Sequence, residues 1–172
     1  MNTITQEPQI IGKYVISILK VSPDIKTHNR ILRQVGMRRI EPDQWYPQVL
    51  FLRFFKRMLK IKGDDYLFDL GKKLVQTTVM PPYVDNFHYA VKAFDLGYTI
   101  IHRNQVGAMF GQKSKNELRT EIIAANPYPC PFDWGILQQM AKDYAPQARL
   151  SHDFSAGCRL DGDHACKYTI DF

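Results

Sequence analysis

Cysteine is scarce in this chain: Cys130, Cys158 and Cys166 are the only three among 172 residues. So few, and an odd number, exclude the disulfide framework that holds small secreted domains together. Long apolar runs are missing too. No stretch reaches about 18 consecutive apolar residues, so no segment reads as a membrane-spanning helix. The first eight residues, Met1 to Pro8, lack the basic and apolar segments of a signal peptide. The expected location is therefore the cytoplasm, where a cysteine cluster is more often a metal site than a disulfide. There is no glycine-rich phosphate loop, no Gly-x-Ser-x-Gly elbow and no His-Glu-x-x-His helix. A nucleotide- or flavin-binding fingerprint is equally absent, which places binding or regulation ahead of catalysis. Repeats, low-complexity tracts and a linker are lacking as well. We expect a single domain over residues 1–172 with no output domain attached.

What is present is ordinary for a globular chain: 45% apolar and 23% charged residues, enough for a real core. The net charge of +6 permits an acidic partner. Arg53, Lys56, Arg57 and Lys60 recur at helical spacing as one basic stripe, but no nucleic-acid motif accompanies it. The stripe reads as a solvated helix face, and no direct nucleic-acid binding is expected.

Ile10 to Leu19 is strongly apolar and predicts a short helix or strand. Pro23-Asp24, Pro42-Asp43 and Asp64-Asp65 each open a predicted helix, since proline and aspartate suit a first turn. Those helices carry Ile31 and Leu32, then Phe51, Phe54, Phe55 and Met58, then Leu67, Leu70 and Leu74. Val84 to Leu96 predicts the next helix, with Gly97 as its cap. Tyr98–Ile101, Val106–Phe110 and Leu118–Ala124 read as strands, the last two joined by a Lys113–Asn116 turn. Asn126 to Pro131 is a stiff loop, because three alternating prolines disfavour helix before each of them. A helix from Phe132 to about Tyr144 and strands Arg149–Phe154 and Cys166–Phe172 complete the chain. The fold class is α+β: N-terminal helices packed on a small antiparallel sheet, with one inserted helix and a C-terminal hairpin.

The most informative stretch is the last. Cys158 and Cys166 flank a Gly162-Asp163 turn, and Cys166 leads into the alternating strand Tyr168-Thr-Ile170-Asp-Phe172. A turn of this kind brings the two thiols together. That suits a disulfide, two thiolates on one ion, or reduced cysteines packed in the core.

A cysteine opening a helix after a loop, a second about a helix and a strand later, and a third eight positions on resemble the 4-vinyl reductase domain. That domain also forms the sensory module of aromatic-responsive regulators, in a fold group shared with H-NOX haem domains and TRAPP subunits. The resemblance is clearest from Tyr98 to Phe172. It implies a structural zinc ion on Cys130, Cys158 and Cys166. The carboxylate expected three residues before Cys158 is Ser155 here, a poor ligand. His152 is the best substitute, with Asp153 behind it and Asp163 or His164 as outsiders. Three thiolates and an imidazole close a zinc site and leave no open position for catalysis.

The same resemblance implies a ligand between the central helices and the sheet. The candidate wall is Phe55, Phe87 and Phe94, with His88, Tyr98 and His102 as polar anchors; the plain alternative is that these rings are only core. H-NOX proteins hold haem with a histidine and a Tyr-x-Ser-x-Arg motif, and the motif is absent here. The expected role is a sensor: it binds a small apolar or aromatic molecule, with a tetrapyrrole as one candidate, and acts through a protein partner or its own homodimer. The Ile10–Leu19 segment is the candidate dimer contact. The rival expectations are a tetrapyrrole-handling enzyme or chaperone and a ligand-free scaffold of the TRAPP type.

Overall fold

Helices α4 (Asp64–Thr77) and α6 (Cys130–Tyr144) touch backbone to backbone, and the rest of the molecule is arranged around that pair. A Cβ on Gly135 would stand 1.9 Å from the Phe68 carbonyl oxygen, and one on Gly71 would stand 2.2 Å from that of Phe132. Only glycine permits such an approach. The structure, a computed structural model, describes residues 6–104 and 107–172.

The chain begins with β1 (Gln9–Ile11), α1 (Gly12–Val21) and α2 (Ile25–Gln34). Asp24 caps α2 by accepting from the Thr27 amide at 3.1 Å, as its place before an amphipathic run requires. The expected helix from Gln44 starts later. Trp45–Pro47 forms strand β2, pairing with β1 so that Ile10 lies opposite Tyr46, and α3 runs from Gln48 to Lys62. Pro47 disfavours helix in the residue before it, which leaves Trp45 and Tyr46 extended. Gly63, at φ 81°, breaks α3 from α4.

Helix α5 spans Phe87–Ile101, capped by Asn86 accepting from the Tyr89 amide. The predicted strand Tyr98–Ile101 is thus the last turn of a helix, and Gly97 lies inside it and not at its cap. The β-branched run Thr99-Ile100-Ile101 has strand propensity, but the helix it continues decides its conformation. Only His102–Arg103 (β3) is extended, completing a three-stranded sheet of order β2-β1-β3.

The second sheet is antiparallel with order β4-β5-β7-β6. Its strands are β4 (Gly111–Asn116), β5 (Arg119–Ala124), β6 (Arg149–His152) and β7 (Cys166–Asp171). The strand predicted from Val106 begins outside the described residues, and Gly107–Phe110 is not a strand. The expected turn at Lys113–Asn116 is instead part of β4, and the chain reverses at Glu117-Leu118, where Asn116 Oδ1 accepts from the Leu118 amide. β4 is polar because it is an edge strand, where exposed charge discourages pairing with another chain. Thr120, Ile122 and Ala124 of β5 and Cys166, Tyr168 and Ile170 of β7 turn inward.

The fold is α+β, as expected, with α6 buried between α4 and the second sheet. Phe51, Phe54 and Phe55 of α3 meet Tyr128 and Phe132 in a continuous aromatic core. In the N-terminal segment Ile10, Val15 and Ile18 are fully buried in the core, while Tyr14, Ile16 and Leu19 are partly buried. Among the described residues no helix is long and apolar enough to cross a membrane.

Candidate functional site

Four elements carry one side chain each to a single point. Cys130 is the first residue of α6, presented by the proline loop; Asn126 pins that loop by accepting from the Tyr128 amide and donating to the Met109 carbonyl and to Asp133. His152 ends β6 with its ring stacked on Tyr168 at 4.6 Å. Cys158 stands after Gly157, whose φ of 97° turns the chain, and its amide donates to Asp163 Oδ2 at 2.8 Å. Cys166 opens β7, paired in register with Ala124.

The ligating atoms of Cys130, His152, Cys158 and Cys166 all lie within 4.8 Å of one another, and all four residues are buried. Cys158 and Cys166 sulfurs are 3.8 Å apart, and Cys130 Sγ is 3.6 Å from His152 Nδ1. A tetrahedral ion with Zn–S near 2.3 Å and Zn–N near 2.0–2.1 Å sets those edges at roughly 3.8 and 3.6 Å. A disulfide needs about 2.05 Å, and all three thiols are free. The other candidates have different work. Asp153 accepts from Ser155 and faces Lys167, Asp163 caps the Cys158 amide, and His164 is exposed.

The surroundings favour thiolate at Cys166. Arg159 donates from its amide and its Nε to Cys166 Sγ, each at 3.4 Å, and pairs through its guanidinium with buried Asp133. The hydrogen bond from Cys130, then the Arg159 groups, hold the Cys166 thiol well below its ordinary value. The bond to Cys166 and then burial push the Cys130 thiol up, and burial pushes Cys158 up. An ion would bring all three to thiolate and release protons as it binds. A shallow groove of about 360 Å³, bordered by Trp134, Phe154 and Leu160, opens to Cys130 and His152 and gives an ion a route in.

A second feature lies elsewhere. A half-open cavity of about 470 Å³ lies between α1 (Tyr14, Ser17), the end of α4 (Leu74, Thr77, Thr78), the connector Val79–Tyr83, and α5 (Phe94, Leu96, Gly97, Ile100). Of the six expected pocket residues only Phe94 lines it. Phe55 and Phe87 are core, the former against Phe132, the latter near Phe172. His88 is tied to β4 by two hydrogen bonds with Gln112. Tyr98 and His102 are buried beside the cavity, their tilted rings 4.2 Å apart. His102 Nδ1 faces the Tyr98 carbonyl, so it donates, and Nε2 accepts from the Tyr128 hydroxyl. Burial lowers its pKa to about 4, so the ring is neutral. The missed wall residues, Leu74, Met80 and Leu96 among them, read as ordinary amphipathic positions or connector; glycine inside α5 is the one signal that marks them.

No protein-family pattern matches the sequence, and no curated protein matches it. Solved structures do. An H-NOX protein from S. oneidensis in the Fe(II)NO ligation state superimposes with a TM-score of 0.70 at 14% identity, covering 94% of this chain and 98% of that one. The Fe(II) form of a triple mutant of an H-NOX protein from S. oneidensis gives 0.68 at 15% identity, over 94% and 95%. A structure described under haem redox potential and porphyrin distortion gives 0.63 at 15% identity, over 95% and 100%. The chain therefore has the H-NOX fold.

Haem is the group that fold raises, and the cavity residues do not supply its usual holds. Among the described residues no histidine or cysteine lines the cavity to meet iron, and both ring nitrogens of neighbouring His102 are engaged. Among the same residues no lysine or arginine lines it to pair with carboxylates.

Proposed function

We propose that the chain is a ligand-binding sensor domain whose last helix and terminal strands are fastened by one structural zinc ion on Cys130, His152, Cys158 and Cys166. The observation that carries this reading is the gathering of those four donors, from four separate elements, at the spacing a tetrahedral ion requires. Such a site has no vacant position, so its contribution is to the fold and not to chemistry. Zinc would lock Cys130 of α6 to the hairpin, and α6 carries that constraint into α4, one wall of the cavity.

Support for sensing comes from the fold and the cavity. The H-NOX neighbours are described with NO on iron or with haem, and a tetrapyrrole draws its support from them; the uncharged lining favours a small apolar or aromatic ligand. The spacing of the cysteines resembles the 4-vinyl reductase domain, and on that reading residues 1–172 form one such domain in the cytoplasm. Output through a protein partner or a second copy of the chain belongs to the same proposal.

Thermal shift across aromatic, lipid and porphyrin panels tests the sensor reading. A ligand at 100 times its dissociation constant stabilises by about 2.7 kcal/mol, a rise of about 5–11 °C for a chain this size. No rise with any of them would favour a ligand-free scaffold of the TRAPP type, and a visible absorption band in the purified protein would favour a tetrapyrrole enzyme or chaperone.

A further inference from the structure

Gly97 sits in the middle of α5, where glycine is a poorer helix former than alanine. Nothing about its surroundings demands glycine. Its φ is ordinary, and a Cβ built there meets no atom within 4 Å, because the space beside it is the cavity. This contrasts with Gly71 and Gly135, where a Cβ would strike backbone. What the missing side chain does at position 97 is keep the cavity open.

The wall opposite is free of charge, with no acidic or basic residue in the lining among the described residues. Its hydroxyls are mostly engaged locally: Ser17 donates to the Tyr14 carbonyl, Thr77 to Lys73 and Leu74, and Thr78 to Leu74. That leaves the phenol of Tyr83 as the exposed group with a proton to give. Tyr14 packs against Phe51 and His102, and Tyr83 stands half exposed at the connector. A carboxylate or sulfonate seated here would give up part of its hydration and gain no cation, which is unfavourable. An apolar body with one carbonyl or hydroxyl would lose little and find a donor.

Resting on the sensor reading above, we infer that this cavity takes an uncharged, mainly apolar small molecule bearing at most one hydrogen-bond acceptor, held by Phe94, Leu96 and Ile100 and oriented by Tyr83, and that it discriminates against anionic ligands, haem included. Gly97 is the residue that sets its depth.

N-phenyl-1-naphthylamine and 8-anilinonaphthalene-1-sulfonate share an aromatic body and differ by a sulfonate, so they test the charge rule on the full chain. We expect saturable fluorescence enhancement with the neutral probe at about one per chain, and affinity for the sulfonate at least about tenfold weaker. Hemin should give no sharp absorption band. Gly97→Phe, and the smaller Gly97→Leu, should weaken the neutral probe by about tenfold or more while the melting temperature holds or rises. Equal binding of the sulfonate, or a stoichiometric hemin band that Gly97→Phe abolishes, would overturn the ligand class and leave the sensor reading standing. Absence of saturable binding by all three probes would overturn the cavity as a site, and the sensor reading with it.

Discussion

Cys166→Ser is expected to lose the metal and to lower the melting temperature by about 8–16 °C, corresponding to about 4 kcal/mol or more. Cys166 is fully buried, opens β7, and holds the sulfur nearest Cys158. Serine keeps nearly the same volume and still accepts the two Arg159 hydrogen bonds, so packing changes little. What it removes is a thiolate. Three remaining donors bind zinc far less tightly, and the proteins should then be compared with and without a chelator. The wild type should fall toward the mutant when chelator is added, and the mutant should not move. If the three cysteines were only a packed cluster, the substitution would cost about 1 kcal/mol and the chelator would do nothing. Differential scanning calorimetry separates the two outcomes.

Gly135→Ala should also be strongly destabilising, by about 3 kcal/mol or more, for a reason unconnected with metal. The added methyl lies 1.9 Å from the Phe68 carbonyl oxygen and 3.1 Å from the Lys72 nitrogen, both backbone of α4. No rotamer change relieves that overlap, so the two helices must separate and the aromatic core around Phe132 must open. Because Cys130 lies on the same helix, zinc retention should fall as well. The same substitution at Gly97, where a Cβ meets nothing within 4 Å, should be neutral or stabilising. Chemical denaturation of the two variants checks the pair: equal effects at positions 97 and 135 would contradict the backbone contact.

These two sites differ in how they show in the sequence. The resemblance to the 4-vinyl reductase domain is what singles out the three cysteines; in the residues themselves Gly162-Asp163 marks the reversal between Cys158 and Cys166, and His152 enters as the best substitute for the fourth ligand. Ligand chemistry narrows the choice, since serine at position 155 is a poor donor. The cavity is barely readable. Leu74, Leu96 and Ile100 look like any amphipathic helix, and the aromatic residues that attract attention, Phe55 and Phe87, are core. Gly97 resembles a helix terminator, and Thr99-Ile100-Ile101 resembles a strand, so the helix that forms the wall is cut short on paper. Edge position hides β4 in the same way, since its Lys-Ser-Lys composition reads as a turn. Close approach of α4 and α6 leaves two glycines as its only trace, and glycine has too many other uses to point there unaided.

Metal analysis of protein prepared without chelator is the most direct test of the convergence at Cys130, His152, Cys158 and Cys166. The account predicts about one zinc per chain, released when the thiols are titrated with a mercurial reagent. Less than about half an equivalent, with all three thiols reacting as ordinary free cysteines, would contradict it.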